Sequence, residues 1–167
     1  MSEITQVQGL AELDRLLKEL PARLEGTVVR GGLRAGAVVL QNAAKQNVPV
    51  KSGALRRSIK VSTGIKKGRV YSRVRAGDKI AFYAHMVEFG TRPHKIGKVG
   101  RMLWINGRWV YAPVNHPGSR PRPFMRPAAD STAQTATVAV GNKIKSILET
   151  KHGLDTPVSI EGVENED

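Results

Sequence analysis

Side chains able to do chemistry are few in this chain. Its 167 residues hold four histidines, His85, His94, His116 and His152, and no cysteine. Without cysteine there is no thiolate nucleophile, no thiolate metal site and no disulfide framework. His85 and Glu88 stand three apart and could share one helix face, which is half of a metal site. No third ligand follows at a recognisable spacing, so a surface or packing pair is the better reading. Asp78 and Glu88 are the only acids between residues 26 and 126. Paired-carboxylate catalysis and acidic magnesium sites therefore lack raw material. No Gly-x-Ser-x-Gly elbow, P-loop or dinucleotide fingerprint occurs. The residues predict a protein that is not an enzyme, with no catalytic residue, no cofactor and no metal.

Charge is what the chain has in excess. The formal net charge is +13, with a pI near 10.5, and residues 26–126 carry 21 lysines and arginines against those two acids. The first 25 residues are nearly balanced and the last 19 are acidic. A basic body of this kind attracts polyanions or acidic protein surfaces, because like charges left alone repel. DNA, a neighbouring subunit or the chain's own acidic end could each answer it. The candidate polyanion-facing residues are Arg56, Arg57, Lys60, Lys66 and Lys67. Ser52-Gly53 ahead of Arg56 and Arg57 resembles an anion-binding turn, with an ordinary turn into a strand as the alternative.

Periodicity supplies the elements that would position these groups. Leu10, Leu13, Leu16, Leu17, Leu20 and Leu24 mark an amphipathic helix that Pro21 ends or kinks. A second helix is expected over residues 27–46, with Val28, Leu33, Ala37, Leu40 and Ala44 on one stripe. Gly31, Gly32 and Gly36 inside it mean either close backbone packing or a break. Pro49-Val50-Lys51-Ser52-Gly53 reads as a turn. Residues 58–63 and 69–75 read as a hairpin joined by residues 64–68. Residues 81–89 favour a short helix closed by Gly90, although strict alternation fits almost as well. Leu103-Trp104-Ile105 and Trp109-Val110-Tyr111 flank Asn106-Gly107, a strong two-residue hairpin signal. Five prolines make residues 112–127 an extended arm. A last helix is expected from Pro127 to about Thr150, with Ala133, Val140, Ile144, Ile147 and Leu148 on its apolar side.

This order predicts an α+β fold, an antiparallel β-sheet packed against N-terminal and C-terminal helices, with an inserted β-hairpin at about 94–122. Residues 1–150 would be one domain and residues 151–167 an acidic, flexible tail. The N-terminus lacks signal-peptide character and no apolar run reaches membrane-spanning length, so a soluble intracellular product is expected.

Three stretches carry a resemblance. They are Pro49-Val50-Lys51-Ser52-Gly53-Ala54-Leu55-Arg56-Arg57-Ser58-Ile59, then Tyr83-Ala84-His85-Met86-Val87-Glu88-Phe89-Gly90-Thr91, then His116-Pro117-Gly118 with Arg122-Pro123-Phe124-Met125-Arg126-Pro127-Ala128. In this order, from about Leu10 to Leu148, the chain resembles the head–tail joining, or tail-completion, family of long-tailed double-stranded-DNA bacteriophages. The motif positions that match are Pro49, Gly53, Glu88, Gly90, Pro123 and Pro127.

The resemblance implies a structural virion protein and no catalytic residues. It implies a homo-oligomeric ring, typically a hexamer, in the neck between portal and tail tube. Its partners would be adjacent connector and tail-tube or tail-terminator proteins, with passing double-stranded DNA as a further contact and no membrane. Such a protein resides in the virion at the head–tail junction, and in the host cytoplasm during assembly. A tail terminator capping the tube is the nearest alternative; a basic nucleic-acid-binding module and a hydrolase of polyanions come after it. Trp104, Trp109, Phe124 and Met125 are the candidate subunit-interface residues. The tryptophan hairpin would lie across a neighbouring subunit or ring, or fold back on its own sheet. Phe124 fits a core equally well. Glu88, an acid in basic surroundings, is expected to pair with an arginine.

Overall fold

Helix-forming residues with small side chains on one face build the two longest elements. A computed structural model describes residues 9–19 and 22–152. The first helix, α1, spans Leu10–Glu19 and buries Leu13. The helix after it, α2, spans Ala22–Asn47, five residues earlier in the chain than its periodicity predicts. Leu20 and Pro21, where the break was expected, lie outside the described residues, as does the acidic stretch from residue 153 onward.

The five-residue helix α3, Ala54–Ser58, follows the turn at 49–53. It takes the place of the expected start of a strand at Ser58. Ser58 is buried there, its hydroxyl donating to the Leu55 carbonyl at 2.7 Å and accepting the Gly77 N–H at 3.0 Å. Strands β1, Lys60–Lys66, and β2, Arg69–Arg75, pair antiparallel from Lys60↔Arg75 to Lys66↔Arg69. Their link is two residues, not the five expected, because Lys67 at φ 50° and Gly68 at φ 75° make the left-handed turn that matches strand twist.

Helix α4 covers Ala84–Phe89, so the helical reading of this stretch holds. Next come β3, His94–Ile96, β4, Met102–Ile105, β5, Arg108–Tyr111, and β6, Val114–His116. The pair β4–β5 turns at Asn106-Gly107, both at positive φ, as its sequence dictates. β6 pairs with β3, so part of the expected extended arm is a paired strand. The last helix, α5, runs Met125–His152.

The fold is α+β with antiparallel pairing throughout, but the six strands form three separate two-stranded ribbons rather than one sheet. α2 and α5 pack against each other in opposite directions. A Cβ on Gly32 would sit 2.5 Å from Ile144 Cγ1, and one on Gly36 would sit 2.6 Å from Val140 Cγ2 and 2.8 Å from the Ala136 carbonyl oxygen. The glycines therefore serve close approach, and the helix does not break. Ala136, Ile144 and Leu148 are the buried side of α5, while Ala133, expected on that side, is exposed.

Two core clusters result. One gathers Leu13, Val28, Ile144 and Leu148 where α1, α2 and α5 meet. The other gathers Ala44, Val48, Leu55, Ile59, Ala81, Ala84, Phe124 and Ala128 at the opposite end of α2.

Candidate functional site

The three motif segments, distant in sequence, converge on this second cluster. Leu55 and Ile59 come from the first, Ala84 from the second and Phe124 from the third. The centre of the junction is Glu88. Its Oε2 accepts the N–H groups of Phe124 at 2.7 Å and Met125 at 3.0 Å, and its Oε1 accepts that of Arg126 at 3.1 Å. Pro127 has no N–H. From Ala128 onward the helix can use its own carbonyls, so one carboxylate from α4 answers every orphan donor at the start of α5. Negative charge is also favoured at a helix N-terminus.

Burial pushes the Glu88 carboxyl up, but the N–H donors of Met125, Phe124 and Arg126, aided by the Arg126 charge, outweigh it and hold it below the ordinary value. The arginine salt bridge expected for Glu88 is thus replaced by backbone capping. Sequence reasoning missed this because its donors lie more than thirty residues away.

Around Glu88 the backbone is tied closely. Thr91 and Ser119 exchange N–H···O bonds at 3.0 and 3.2 Å, and the Arg122 N–H donates to the Val87 carbonyl at 2.8 Å. Gly90 has φ 72° and ψ −175°, a conformation open to glycine, and a Cβ there would lie 2.5 Å from the Ser119 carbonyl oxygen. Pro49, Gly53, Tyr83, Val87 and Arg122 line a cleft of about 310 Å³ beside this junction. Gly53 enters α3 at φ 73°. Pro123 is exposed next to buried Phe124, and Pro127 occupies the first turn of α5. These motif residues are an architectural joint.

His85 and Glu88 do not share a ligand position. The His85 Nδ1 lies 3.1 Å from the Phe82 carbonyl oxygen, while Glu88 turns to α5. Among the described residues no three histidine, aspartate or glutamate side chains gather to hold a metal. At the Ser52-Gly53 turn Arg57 Nη1 folds back to the Ser52 carbonyl at 3.4 Å.

The cationic residues do organise on β1–β2. Opposed residues share a face, so Lys60, Lys66, Arg69, Arg73 and Arg75 line one side of the ribbon with Tyr71 among them. All five cations are exposed. Arg73 donates to the Tyr71 hydroxyl at 2.9 Å and stacks 4.8 Å from its ring centre. Lys60 faces Arg75, and Lys66 faces Arg69, an arrangement that like-charge repulsion disfavours in an isolated ribbon. Lys67 sits in the turn, and Arg56 and Arg57 are exposed on α3. Arg69, Arg73 and Arg75 were not singled out from sequence, although their alternation with Val70, Ser72 and Val74 carried the signal.

The ribbon β4–β5 presents an apolar face instead. Met102, Trp104, Trp109 and Tyr111 share the outer side of β4–β5 and are 47%, 59%, 62% and 76% exposed. The indoles meet edge to face with centres 5.2 Å apart. The inner side is anchored through Leu103, which leaves no space for a Cβ on Gly97. Of the other two candidate interface residues, Met125 is half-buried, and Phe124 is 1% exposed and belongs to the core.

Residues 11–90 match the family model described as "Bacteriophage HK97-gp10, putative tail-component". Over that segment the chain carries the pattern of this phage tail family, in agreement with the resemblance drawn from its motifs. The first motif segment and all but Thr91 of the second fall inside the match, and the third is joined to them through Glu88. That segment of the chain is thus similar to a family described as a phage tail component. No curated protein and no solved structure matches the chain. None of the described helices is long and apolar enough to cross a membrane.

Proposed function

We propose that this chain is a ring-forming subunit at the head–tail junction of a tailed phage, required for tail completion and head–tail joining. The observation that carries the step from tail component to ring subunit is the outer face of β4–β5. Four large side chains there stand in water on a single subunit. Soluble monomers rarely leave such a contiguous face bare, and aromatic side chains of this kind anchor subunit interfaces. A hexamer is the stoichiometry the family resemblance implies. Residues 1–150 form the ring body in this reading, and residues 151–167 are its acidic appendage.

The cationic side of β1–β2 favours a second contact, with the backbone of double-stranded DNA passing the ring. An acidic face of a neighbouring neck or tail-tube protein is the other partner its charge suits.

Electron microscopy of a lysate from the source phage lacking this gene tests the proposal. DNA-filled heads separated from tails are the expected result, and tails of abnormal length would point to a terminator role instead. Normal, joined, infectious particles would overturn it.

A further inference from the structure

The same chain carries both an apolar projection and an apolar recess. The recess is a groove of about 500 Å³ among α1, α2, α5 and β2. Leu10, Leu17, Leu33, Leu40, Val74 and Val140 are among its walls, and Leu10 is 40% exposed. Asp14, Ser72 and Thr137 are the polar residues of its lining. Ser72 Oγ is buried and without a hydrogen-bond partner. The projection is the outer face of β4–β5.

The two surfaces belong to different ends of the subunit. The ribbons β3–β6 and β4–β5 join the body beside the start of α5, through the Thr91–Ser119 bridge and the Val87–Arg122 bond. The groove's α5 wall, from Ala136 to Ile144, lies roughly 17–29 Å further along that helix, at about 1.5 Å per residue. None of the groove's lining residues comes from residues 94–122.

We propose that the outer face of β4–β5 seats in this groove on a second copy of the chain, with Trp104 and Trp109 as the inserted pair. The inference rests on the ring reading above and specifies its contact. Charge supports the choice of occupant. No acid occurs from Phe89 to Ala129, while Lys98 and Arg101 precede β4 and Arg108 opens β5. At the edge of the groove α1 carries exposed Asp14, the one acid in its lining, which pairs with Lys18. Area supports it as well. The exposed parts of the four side chains amount to on the order of 400 Å², about half of what one partner contributes to a standard interface. Because the two surfaces differ, the contact is head-to-tail, and it makes a ring when the rotation closes.

The chain has no cysteine, so introduced thiols report without background. Met102→Cys and Thr137→Cys are made in separate full-length chains, mixed, and treated with a short bis-maleimide. Dimers that join one variant to the other, absent from either variant alone, are expected. In parallel, Trp109→Ala should weaken self-association about thirty-fold, the loss typical of a central aromatic anchor, while circular dichroism stays unchanged. An oligomer that forms normally but gives no mixed cross-link, or that cross-links Met102→Cys to itself, overturns the docking and leaves the ring reading standing. A wild-type chain that stays monomeric at high concentration overturns both.

Discussion

Replacing Glu88 should show how much of the fold hangs on a single carboxylate. In Glu88→Ala the N–H groups of Phe124, Met125 and Arg126 lose their shared acceptor. The Phe124 donor is buried with its side chain in the core, so leaving it unpaired costs roughly 1–3 kcal/mol. The Met125 and Arg126 donors are partly buried, and losing a helix cap typically costs about 1 kcal/mol more. A total near 3 kcal/mol corresponds to a melting-temperature drop of about 10 °C for a domain this size. Glu88→Gln keeps one acceptor oxygen and loses the charge, so about half that drop is expected.

The acid limb follows from the same geometry. The folded-state value of Glu88 lies below its ordinary 4.5. Its contribution is therefore complete above pH 4.5 and is lost as pH falls through the lower folded value. In thermal melts from pH 7 to pH 3 the wild type should fall toward Glu88→Gln at the acid end, because a protonated carboxyl keeps one acceptor oxygen, while Glu88→Ala stays lowest. A Glu88→Ala chain within about 1 kcal/mol of wild type at pH 7, or a gap that stays constant with pH, would refute the capping argument.

Three further outcomes follow from other parts of the structure. Gly36→Ala should destabilise by about 1–3 kcal/mol in denaturant melts, because its Cβ meets the Ala136 backbone, whereas Gly26→Ala, with nothing within 4 Å, should gain up to about 1 kcal/mol. Gly90→Ala should cost more than either, since it combines a positive φ with a Cβ 2.5 Å from the Ser119 carbonyl oxygen; loss of soluble protein or a melt lowered by about 10 °C would register it. If the five cations on β1–β2 all meet DNA phosphates, gel shifts across a salt series should give a log–log slope near −4.5, and Arg73→Ala should reduce it by about one. A slope near zero would assign that face to protein instead.

Whatever depends on neighbours in sequence was legible without coordinates. Asn106-Gly107 sets its turn because both residues tolerate positive φ, β2 begins and ends where alternation places it, and β5 ends at Tyr111 as read from sequence but starts one residue earlier, at Arg108. The stripe of Val28, Ala37 and Ala44 on α2 is buried as its spacing requires. Charge excess, the absence of cysteine and the scarcity of acids between residues 26 and 126 are properties of composition alone.

Tertiary structure decided the rest. Gly31, Gly32 and Gly36 could have broken α2; the approach of Ile144, Ile147 and Val140 on α5 gives them a packing role. Ser58 opens no strand, because the Gly77 N–H and the Leu55 carbonyl hold its hydroxyl at the end of α3. Residues 114–116 read only as part of an extended arm until β3 supplies the partner that makes them a strand. Glu88 looked like half of an ion pair because sequence exposes charges but hides unpaired backbone donors. Those donors appear only once α5 starts within reach of α4. Local periodicity and turn chemistry act over a few residues and can be read along the chain, whereas a cap, a ribbon partner or a close helix contact exists only after distant segments meet.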